Sequence, residues 1–454
     1  MVYRSPWIVQ LKRFRPIQKI SSPLDPDTVI IGGGIAGVMT AYFILQQTKH
    51  TVFLLEADRI AHGATGHNAG QLVSYFERPL HDIAKDYGNK FTIEAYEDLL
   101  KTWGLLEDLT IKAALRTPVT SFKGYTGYST LPQILNQLET NHLLDDSKNR
   151  PENILLASES DLLSKIPLMY HPYCTLVPQK EILTILDTRN THFIAAHPER
   201  KGCTNSSLLT EELVGYLLSV YPERFQLSES TPVKRITLTP TEITITTTEQ
   251  VITTPTVVLC TNGYSTYEIE TAPSKPSPLK PRITSTVGYM NGYLDPTLKS
   301  AAATQYFTIQ TISPSDPYYY ITRRIYEHGR HVHTLICVGG PEVQLPGGQP
   351  YHTHAHYLPT AHHQLDEFIH STYQYPSSKV VPDFKWHGLM GYTTSMIRLI
   401  GPDPIYPNLY YNLGCNGVGI LPSIYGGKRI QNYLAKDNVK PSIFDTKFMN
   451  TADI

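Results

Sequence analysis

"VIIGGGIAG", residues 29–37, decides the fold, because it places the pattern Gly-x-Gly-x-x-Gly between a β-branched run and a helical pattern. Residues 28–31 form a short predicted strand that ends at the first glycine. Residues 36–47 have the apolar spacing of a helix, and residues 51–56 predict a second strand. This β-α-β order is typical of a Rossmann-like nucleotide-binding unit.

The three glycines of this unit have separate expected tasks. Gly32 permits the tight turn, Gly34 lets the backbone approach a pyrophosphate, and Gly37 lets the helix pack closely on the strand. Glu56 ends the second strand, where an acid accepts a hydrogen bond from a ribose 2′-hydroxyl, so NADP fits poorly. N–H groups at a helix N-terminus bind phosphate. The predicted cofactor contacts here are Gly32, Gly34, Ile35, Ala36, Gly37, Glu56 and Ala57.

Two further glycine-rich stretches favour FAD over NAD. "GATGHNAGQ", residues 63–71, is a second glycine-rich segment soon after the second strand, and its backbone carries few large side chains that would block contact with a cofactor. Residues 408–434 again read as strand, glycine loop and helix, far along the chain. A helix N-terminus at the pyrimidine end of a flavin would stabilise its anionic reduced ring. FAD is longer than NAD and is bound at both ends. It therefore explains better than NAD why a second strand–glycine–helix unit occurs so far along the chain.

Composition excludes several other classes of protein. The 454 residues contain 39 Lys and Arg against 40 Asp and Glu, so a nucleic-acid-binding surface has little electrostatic support. No run of 18 apolar residues occurs, and no membrane span is predicted. The five cysteines are scattered without a CxxC pattern, which fits a reducing cytoplasm.

These motifs resemble the D-amino-acid oxidase-like (DAO) superfamily of FAD-dependent amine and amino-acid oxidoreductases. The stretch "SPWIVQ" near the N-terminus looks like the gamma-glutamylputrescine oxidase-like branch of that superfamily. The stretches that carry the resemblance follow the order of the family, and they are "VIIGGGIAG", "LLEADRIAHGATGHNAGQ", "TPVKRI", "VVLCTNGYS", "LIGPDP" and "LYYNLGCNGVGI".

The resemblance implies an α/β + β fold, in which a Rossmann-like FAD-binding domain is interleaved with an antiparallel-sheet substrate domain. No flexible linker separates two halves of the chain, which agrees with interleaving. The expected FAD-binding domain comprises residues 26–78, 205–265 and 386–435. The expected substrate domain comprises residues 79–204 and 266–385, with an N-terminal arm over 1–25 and a C-terminal tail over 436–454.

The resemblance also assigns further residues to FAD. His67 aligns with the histidine that carries a covalent flavin in dimethylglycine and sarcosine dehydrogenases. Non-covalent FAD is the expectation, with a covalent link through His67 as the alternative. A cysteine tether would fall near Met390 or Gly391, where no cysteine stands. The residues assigned to FAD by resemblance are Gly63, Thr65, Gly66, His67, Asn68, Gly70, Gln71, Val233, Thr261, Asn262, Gly263, Gly414, Gly417, Gly419 and Ile420.

The implied reaction is hydride transfer from the carbon that bears an amine, followed by hydrolysis of the imine. No side chain stands out as a dedicated base. Thr393 stands where glycine oxidase-like enzymes hold a carboxylate with arginine, which disfavours a simple α-amino acid. Cys337 aligns with the lysine that promotes reaction with oxygen in monomeric sarcosine oxidase. The electron acceptor is therefore oxygen or another acceptor.

The substrate side is predicted at "PYYYITRRI", residues 317–325. Alternation places Tyr318, Tyr320, Thr322 and Arg324 on one face and Tyr319, Ile321 and Arg323 on the other. Tyrosine with arginine would suit an anionic or amide-bearing substrate; a solvated edge is the other interpretation. The candidate catalytic residues are His67, Tyr320, Arg323 and Arg398.

The sequence therefore predicts an FAD-dependent enzyme that oxidises the C–N bond of a small amine or amino acid. Alternating histidines in residues 350–363 resemble a metal site, but no acid or cysteine lies nearby, so no metal is predicted. A DAO-like tRNA side-chain modification enzyme and a non-catalytic flavoprotein are the alternatives. The sequence indicates no oligomeric state.

Overall fold

A computed structural model describes residues 4–11, 15–20, 25–239, 241–264, 266–271, 277–278, 283–311, 318–347, 349–373 and 381–448. Short 3-10 helices span Ala64–Gly66, Leu168–Tyr173 and Thr446–Phe448. The α-helices are α1 (Pro6–Gln10), α2 (Ile35–Gln47), α3 (Leu80–Tyr87), α4 (Asn89–Lys112), α5 (Leu131–Leu143), α6 (Leu162–Lys165), α7 (Gln179–Ile185), α8 (Ser206–Val220), α9 (Ala361–Ser371) and α10 (Ile420–Leu434). The strands are β1 (Thr28–Ile31), β2 (Val52–Leu55), β3 (Gln71–Leu72), β4 (Thr120–Tyr128), β5 (Ile154–Ala157), β6 (Cys174–Val177), β7 (Ala195–Cys203), β8 (Phe225–Ser228), β9 (Val233–Leu238), β10 (Ile243–Thr247), β11 (Val251–Thr254), β12 (Thr256–Leu259), β13 (Glu268–Thr271), β14 (Ile283–Asp295), β15 (Ala302–Phe307), β16 (Tyr319–His328), β17 (His331–Gln344), β18 (Phe384–Thr393), β19 (Leu399–Pro402) and β20 (Leu409–Leu413).

The predicted β-α-β unit forms the centre of a six-stranded sheet in the order β19-β20-β12-β1-β2-β8. All pairs in it are parallel except β19 with β20. Every residue of β1 and β2 is buried, because the sheet is covered on both faces. Ile30 packs with helices α2, α8 and α10, whereas its neighbours Val29 and Ile31 pack with β9 and β10 on the opposite face. The nucleotide-binding domain is thus a three-layered structure.

The covering sheet on that opposite face has the order β11-β10-β9-β13. Strands β9, β10 and β11 pair antiparallel in chain order and form a meander. The N-cap of α8 is Asn205, whose side chain accepts hydrogen bonds from the N–H groups of Ser207 and Leu208.

The third sheet is large and mostly antiparallel, with the order β18-β14-β17-β16-β15-β4-β7-β5-β6 and β3 paired to β7. Only β4 with β15 and β5 with β6 pair in parallel among its described strands. Its core is rich in buried tyrosine, including Tyr289, Tyr293 and Tyr306. Strand β18 pairs along β14, so Phe384–Thr393 belongs to this sheet although most of it was predicted within the FAD-binding domain. The division into two domains remains a prediction.

Candidate active site

A cavity of about 690 Å³ lies between the six-stranded sheet and the large sheet. One end is lined by Ile31 and Leu55, the last residues of β1 and β2, and by Cys260, which follows β12. The other end is lined by side chains of β14, β16, β17 and β18. The volume is within the range of small-molecule and cofactor sites, and the carboxyl ends of parallel strands are where nucleotides bind in open α/β sheets.

The first glycine turn lines this cavity through Gly34, Ile35 and Ala36 at the start of α2. Gly32 has φ +112°, a conformation that favours glycine. A Cβ atom on Gly37 would lie 1.9 Å from the carbonyl oxygen of Gly32, so Gly37 permits the close packing that was predicted and does not itself line the cavity.

The second turn, residues 63–71, is fastened to the first. Thr65 Oγ1 accepts a hydrogen bond from the Ile35 N–H at 2.9 Å, which satisfies one of the free donors at the N-terminus of α2. Gly66 and Gly70 are not among the residues that line the cavity. The predicted residues of this turn that do line the cavity are Gly63, Thr65, His67, Asn68 and Gln71.

The third turn joins β20 to α10 and brings Gly417, Gly419 and Ile420 to the same cavity. Asn262 holds it in place, since its Oδ1 accepts from the Cys415 N–H at 2.9 Å. Thr261, Asn262 and Val233 also line the cavity, whereas Gly263 and Gly414 do not.

Glu56 lies at the end of β2, as predicted. Its Oε2 accepts from the Gly33 N–H at 2.6 Å and its Oε1 from the Asp58 N–H at 2.9 Å. Burial raises the pKa of Glu56, and these two donors lower it. Glu56 and Ala57 both line the cavity, so the carboxyl is placed beside any nucleotide that occupies this end.

His67 lines the cavity with its Nδ1 at 3.0 Å from the Gly63 carbonyl oxygen. Burial lowers the pKa of His67, which favours a neutral ring. A Cβ on Gly388 would lie 2.5 Å from the His67 carbonyl oxygen, so β18 packs directly against this turn.

Arg398 is 5% exposed and lines the cavity. Its Nε donates to Asn412 Oδ1 at 2.8 Å and its Nη2 to the Asn412 carbonyl oxygen at 3.2 Å. Its Nη1 is buried and has no hydrogen-bond partner among the described residues. A buried guanidinium nitrogen without a partner is costly, which points to an acceptor supplied by a bound group.

The substrate side differs from prediction in its arginines. The alternation along β16 is present, and Tyr318 and Tyr320 line the cavity. Arg323 points away and donates to Asp187 at 2.7 Å. Arg324 also turns away from the cavity, donating to backbone carbonyl oxygens of Ala69 and Gly70. Neither arginine lines the cavity, because Arg323 forms an ion pair with Asp187 and Arg324 binds the backbone of the second glycine turn.

Two carboxyls that the sequence did not single out stand at this end of the cavity. Glu77 accepts from the Tyr318 hydroxyl at 2.8 Å, and Glu342 accepts from the Tyr392 hydroxyl at 3.2 Å. Burial raises the pKa of Glu77 to about 8 and that of Glu342 to about 7. A Cβ on Gly417 would lie 2.9 Å from the Glu77 side chain, so Glu77 adjoins the third glycine turn.

The cavity contains one fixed positive charge, Arg398, among its described lining residues. Thr393 does not line it; its hydroxyl donates to the Ile397 carbonyl oxygen. Cys337 is fully buried beside Trp7 and also lies outside the lining. Neither position therefore takes the place of the arginine or lysine that the resemblance implied.

His352 and His354 line the cavity without forming a metal centre. Within the described ranges, no group of three or more His, Cys, Asp or Glu residues could hold a metal ion. The helices of those ranges are likewise too short or too polar to cross a membrane.

The sequence profile of the family described as FAD dependent oxidoreductase (DAO) matches residues 27–432. The chain belongs to the DAO family. FAD is the cofactor of this family, so the cofactor predicted from the glycine turns is confirmed. The gamma-glutamylputrescine oxidoreductase of Escherichia coli is 36% identical over 76 residues, which are 17% of this chain and 18% of that protein. A probable oxidoreductase of Haemophilus influenzae is 25% identical over 141 residues, 31% of this chain and 30% of that protein.

Solved structures of DAO-type enzymes share the fold. Glycine oxidase from Geobacillus kaustophilus aligns over 95% of this chain and 100% of its own, with a TM-score of 0.65 and 15% identity. L-Proline dehydrogenase from P. horikoshii aligns over 93% of this chain and 97% of its own, with a TM-score of 0.67 and 15% identity. These likenesses confirm the predicted α/β + β architecture with its Rossmann-like and mostly antiparallel sheets.

The residues of the cavity fit FAD. Helices α2 and α10 both begin at a glycine without a side-chain cap, Gly34 and Gly419, and both glycines line the cavity. Uncapped helix N-termini bind anions and electron-rich groups. The partnerless Nη1 of Arg398 supplies a further donor. FAD, an extended anion, satisfies these donors in a way that a neutral ligand would not.

Proposed function

We propose that this protein uses FAD to oxidise the C–N bond of a small amine that reaches the cavity as a cation. Membership of the DAO family supports the flavin chemistry. The observation that carries the choice of substrate is the Glu77 carboxyl, which faces the cavity beside Gly417 and is held by Tyr318. A partly desolvated carboxyl stabilises an ammonium group and disfavours a carboxylate.

The chemistry assigns Glu77 a proton-accepting task. An amine reacts as a neutral nitrogen but is an ammonium ion in water at pH 7, so one proton must leave before the C–H bond breaks. When bound, FAD supplies the hydride acceptor. The Glu77 carboxylate takes the ammonium proton, and the oxidised substrate leaves as an imine that water hydrolyses. Efficient proton transfer requires an acceptor whose pKa lies near the working pH, which agrees with a pKa of about 8 for Glu77.

The charges of the site disfavour the other candidates. An α-amino acid carboxylate would meet Glu77 and Glu342 without an arginine on β16 or at Thr393 to hold it. A tRNA substrate carries many phosphates. The balanced charge of this chain and the two carboxyls in the cavity would not attract them. A non-catalytic flavoprotein would have no use for two carboxyls in the cavity, one of them, Glu77, beside the third glycine turn.

The test is an anaerobic panel of amines added to the purified yellow protein. We expect at least one small cationic amine to bleach the flavin absorbance near neutral to mildly alkaline pH. α-Amino acids of the same carbon number serve as the matched comparison. A flavin that bleaches with α-amino acids but with no amine would contradict the proposal.

The same preparation tests the mode of flavin attachment. We propose non-covalent FAD, because His67 Nδ1 is engaged with Gly63 and no chemistry of this chain requires a tether. Acid precipitation should leave all of the flavin in the supernatant. Yellow colour in the washed pellet that disappears in His67→Asn would instead establish the histidyl link.

A further inference from the structure

The two cavity carboxyls are held separately rather than as a pair. Glu77 follows the second glycine turn and is bound by Tyr318, whereas Glu342 lies on β17 and is bound by Tyr392 of β18. Strand β17, which carries Glu342, pairs with β16, whereas Tyr392 lies on β18, which pairs with β14 on the other side of β17. No hydrogen bond joins the two carboxyls in the described part of the chain.

The two carboxyls nevertheless share one compartment. A charge on Glu342 contributes to raising the pKa of Glu77, so the two groups interact across the cavity. Tyr320 lines the same cavity as both carboxyls, and its ring lies 6.0 Å from the ring of Tyr318, which binds Glu77. Tyrosine faces attract cations and exclude water from them.

We propose that this site selects substrates with two cationic groups, one at each carboxyl, as in α,ω-diamines and longer polyamines. Glu77, beside Gly417, receives the ammonium group at the end that is oxidised. Glu342 and Tyr392 hold the second ammonium group at a distance. This inference rests on the proposed amine oxidation and adds the charge and the length of the substrate to it.

The residues around the two carboxyls favour a substrate with one ammonium group for each carboxyl over a substrate with a single ammonium group shared by both. Lys201, which is fully buried behind Glu77, is neutralised by Glu199 at 3.0 Å and is bound to Gln305 at 2.8 Å. Gln305 donates to the Tyr75 hydroxyl, which lines the cavity. Lys201 is thus already paired with Glu199, and among the described residues no lysine or arginine forms an ion pair with Glu77 or Glu342.

The experiment compares substrates of equal length and different charge. The probes are the diamines from propane-1,3-diamine to hexane-1,6-diamine, the corresponding n-alkylamines, and the ω-amino acids from 4-aminobutanoate to 6-aminohexanoate. We expect one diamine length to give a kcat/KM about 10- to 100-fold above that of its monoamine, the range of a hydrogen bond to a charged group. The ω-amino acid should be poorer than either.

Glu342→Gln tests the assignment of the distal carboxyl. The variant should reduce the ratio of diamine to monoamine kcat/KM to about 3 or less, chiefly through a higher KM for the diamine. Glutamine has the shape of glutamate and keeps an acceptor for Tyr392. Glu327→Gln, on an exposed position of β16, makes the same chemical change outside the cavity and should leave the ratio as in the wild type.

A second readout does not depend on turnover. Under anaerobic conditions, the preferred diamine should raise the Tm of the wild-type holoenzyme and should fail to do so in Glu342→Gln. If no amine is oxidised but this shift occurs, the proposed reaction fails and the dication site stands. If a monoamine bleaches the flavin as well as any diamine, or if the ratio is unchanged in Glu342→Gln, the dication inference is wrong while the proposed reaction stands.

Discussion

Trp7 Nε1 donates a hydrogen bond to the Asn68 carbonyl oxygen at 2.5 Å, which ties the N-terminal segment to the glycine turn that carries His67. Ser5 Oγ donates to the carbonyl oxygen of Gly66 in the same turn. Trp7 is fully buried, and the Arg324 guanidinium lies 4.4 Å from the centre of its ring. The N-terminal arm therefore braces the cofactor side of the cavity from behind.

Trp7→Ala should weaken FAD binding at least tenfold and lower the free energy of unfolding by about 3–5 kcal/mol, because a large buried ring is removed. Trp7→Phe keeps an aromatic ring and should lose only about 0.5–1.5 kcal/mol with the hydrogen bond. Titration of FAD into flavin-free protein and thermal unfolding measure the two effects. Leu168→Ala, at an 82% exposed position, is the control. Undiminished FAD affinity in Trp7→Ala would show that the brace does not support the turn.

Gly37→Ala should abolish FAD binding or folding, because its Cβ would lie 1.9 Å from the Gly32 carbonyl oxygen and would separate α2 from β1. Gly215→Ala is the matched change in another helix, α8, at an exposed position with nothing within 4 Å of the new Cβ. That control should stabilise the protein by about 0.5–1 kcal/mol, since glycine is a poor helix former. Flavin content after purification and the Tm measure the contrast. A yellow, fully stable Gly37→Ala protein would refute the packing argument.

The cofactor side of the site could be predicted from sequence because its chemistry is carried by the backbone. A glycine is required where chain segments approach closely or adopt a positive φ, as at Gly32 and Gly37, and such requirements leave a pattern in the sequence. The strands and helices on either side of these glycines have regular periodicities. The three turns consequently meet at one cavity as expected, and Glu56 ends its strand as predicted.

The substrate side could not be predicted in the same way. Glu77 and Glu342 are single acids without a motif, and they line one cavity only because segments far apart in the sequence meet in the fold. The alternation of β16 was correct, yet it does not tell whether Arg324 faces a ligand or the Trp7 ring. Strand β18 pairs along β14 of the large sheet, a pairing that the sequence pattern did not indicate. Side-chain partners across a large sheet are determined by register, which one sequence does not reveal.

Arg398→Gln should weaken FAD binding by about 10- to 100-fold, because it removes the buried donor that has no protein partner among the described residues. Arg398→Lys keeps the charge but loses the planar fork that also binds Asn412, so an intermediate loss is expected. Titration of FAD at two salt concentrations measures this effect. Arg323→Gln, which alters an ion pair outside the cavity, is the control. Equal FAD affinity in the Arg398 and Arg323 variants would show that Arg398 does not bind the cofactor.

Glu77 should control the pH dependence of kcat/KM. Burial raises the pKa of its carboxyl to about 8; the charges near it belong to Lys201, which lowers that pKa, and to Glu342 and Glu199, which raise it. The carboxyl is therefore protonated below pH 8 and accepts a proton above it. We expect kcat/KM for the preferred amine to rise about tenfold per pH unit below pH 8 through this group. The pH profile of kcat/KM should have a second limb near pH 10, where the free ammonium group of the substrate loses its proton.

Glu77→Gln should lower kcat/KM by about 10²- to 10⁴-fold, which is the usual contribution of a general base. The limb of the pH profile near pH 8 should disappear in this variant, and the limb near pH 10 should remain. Steady-state rates between pH 6 and pH 11 with one amine measure both effects. Glu327→Gln should retain both limbs. A residue that only supported the fold would lower the rate equally at every pH. Persistence of the limb near pH 8 in Glu77→Gln would therefore assign the proton acceptor to another group.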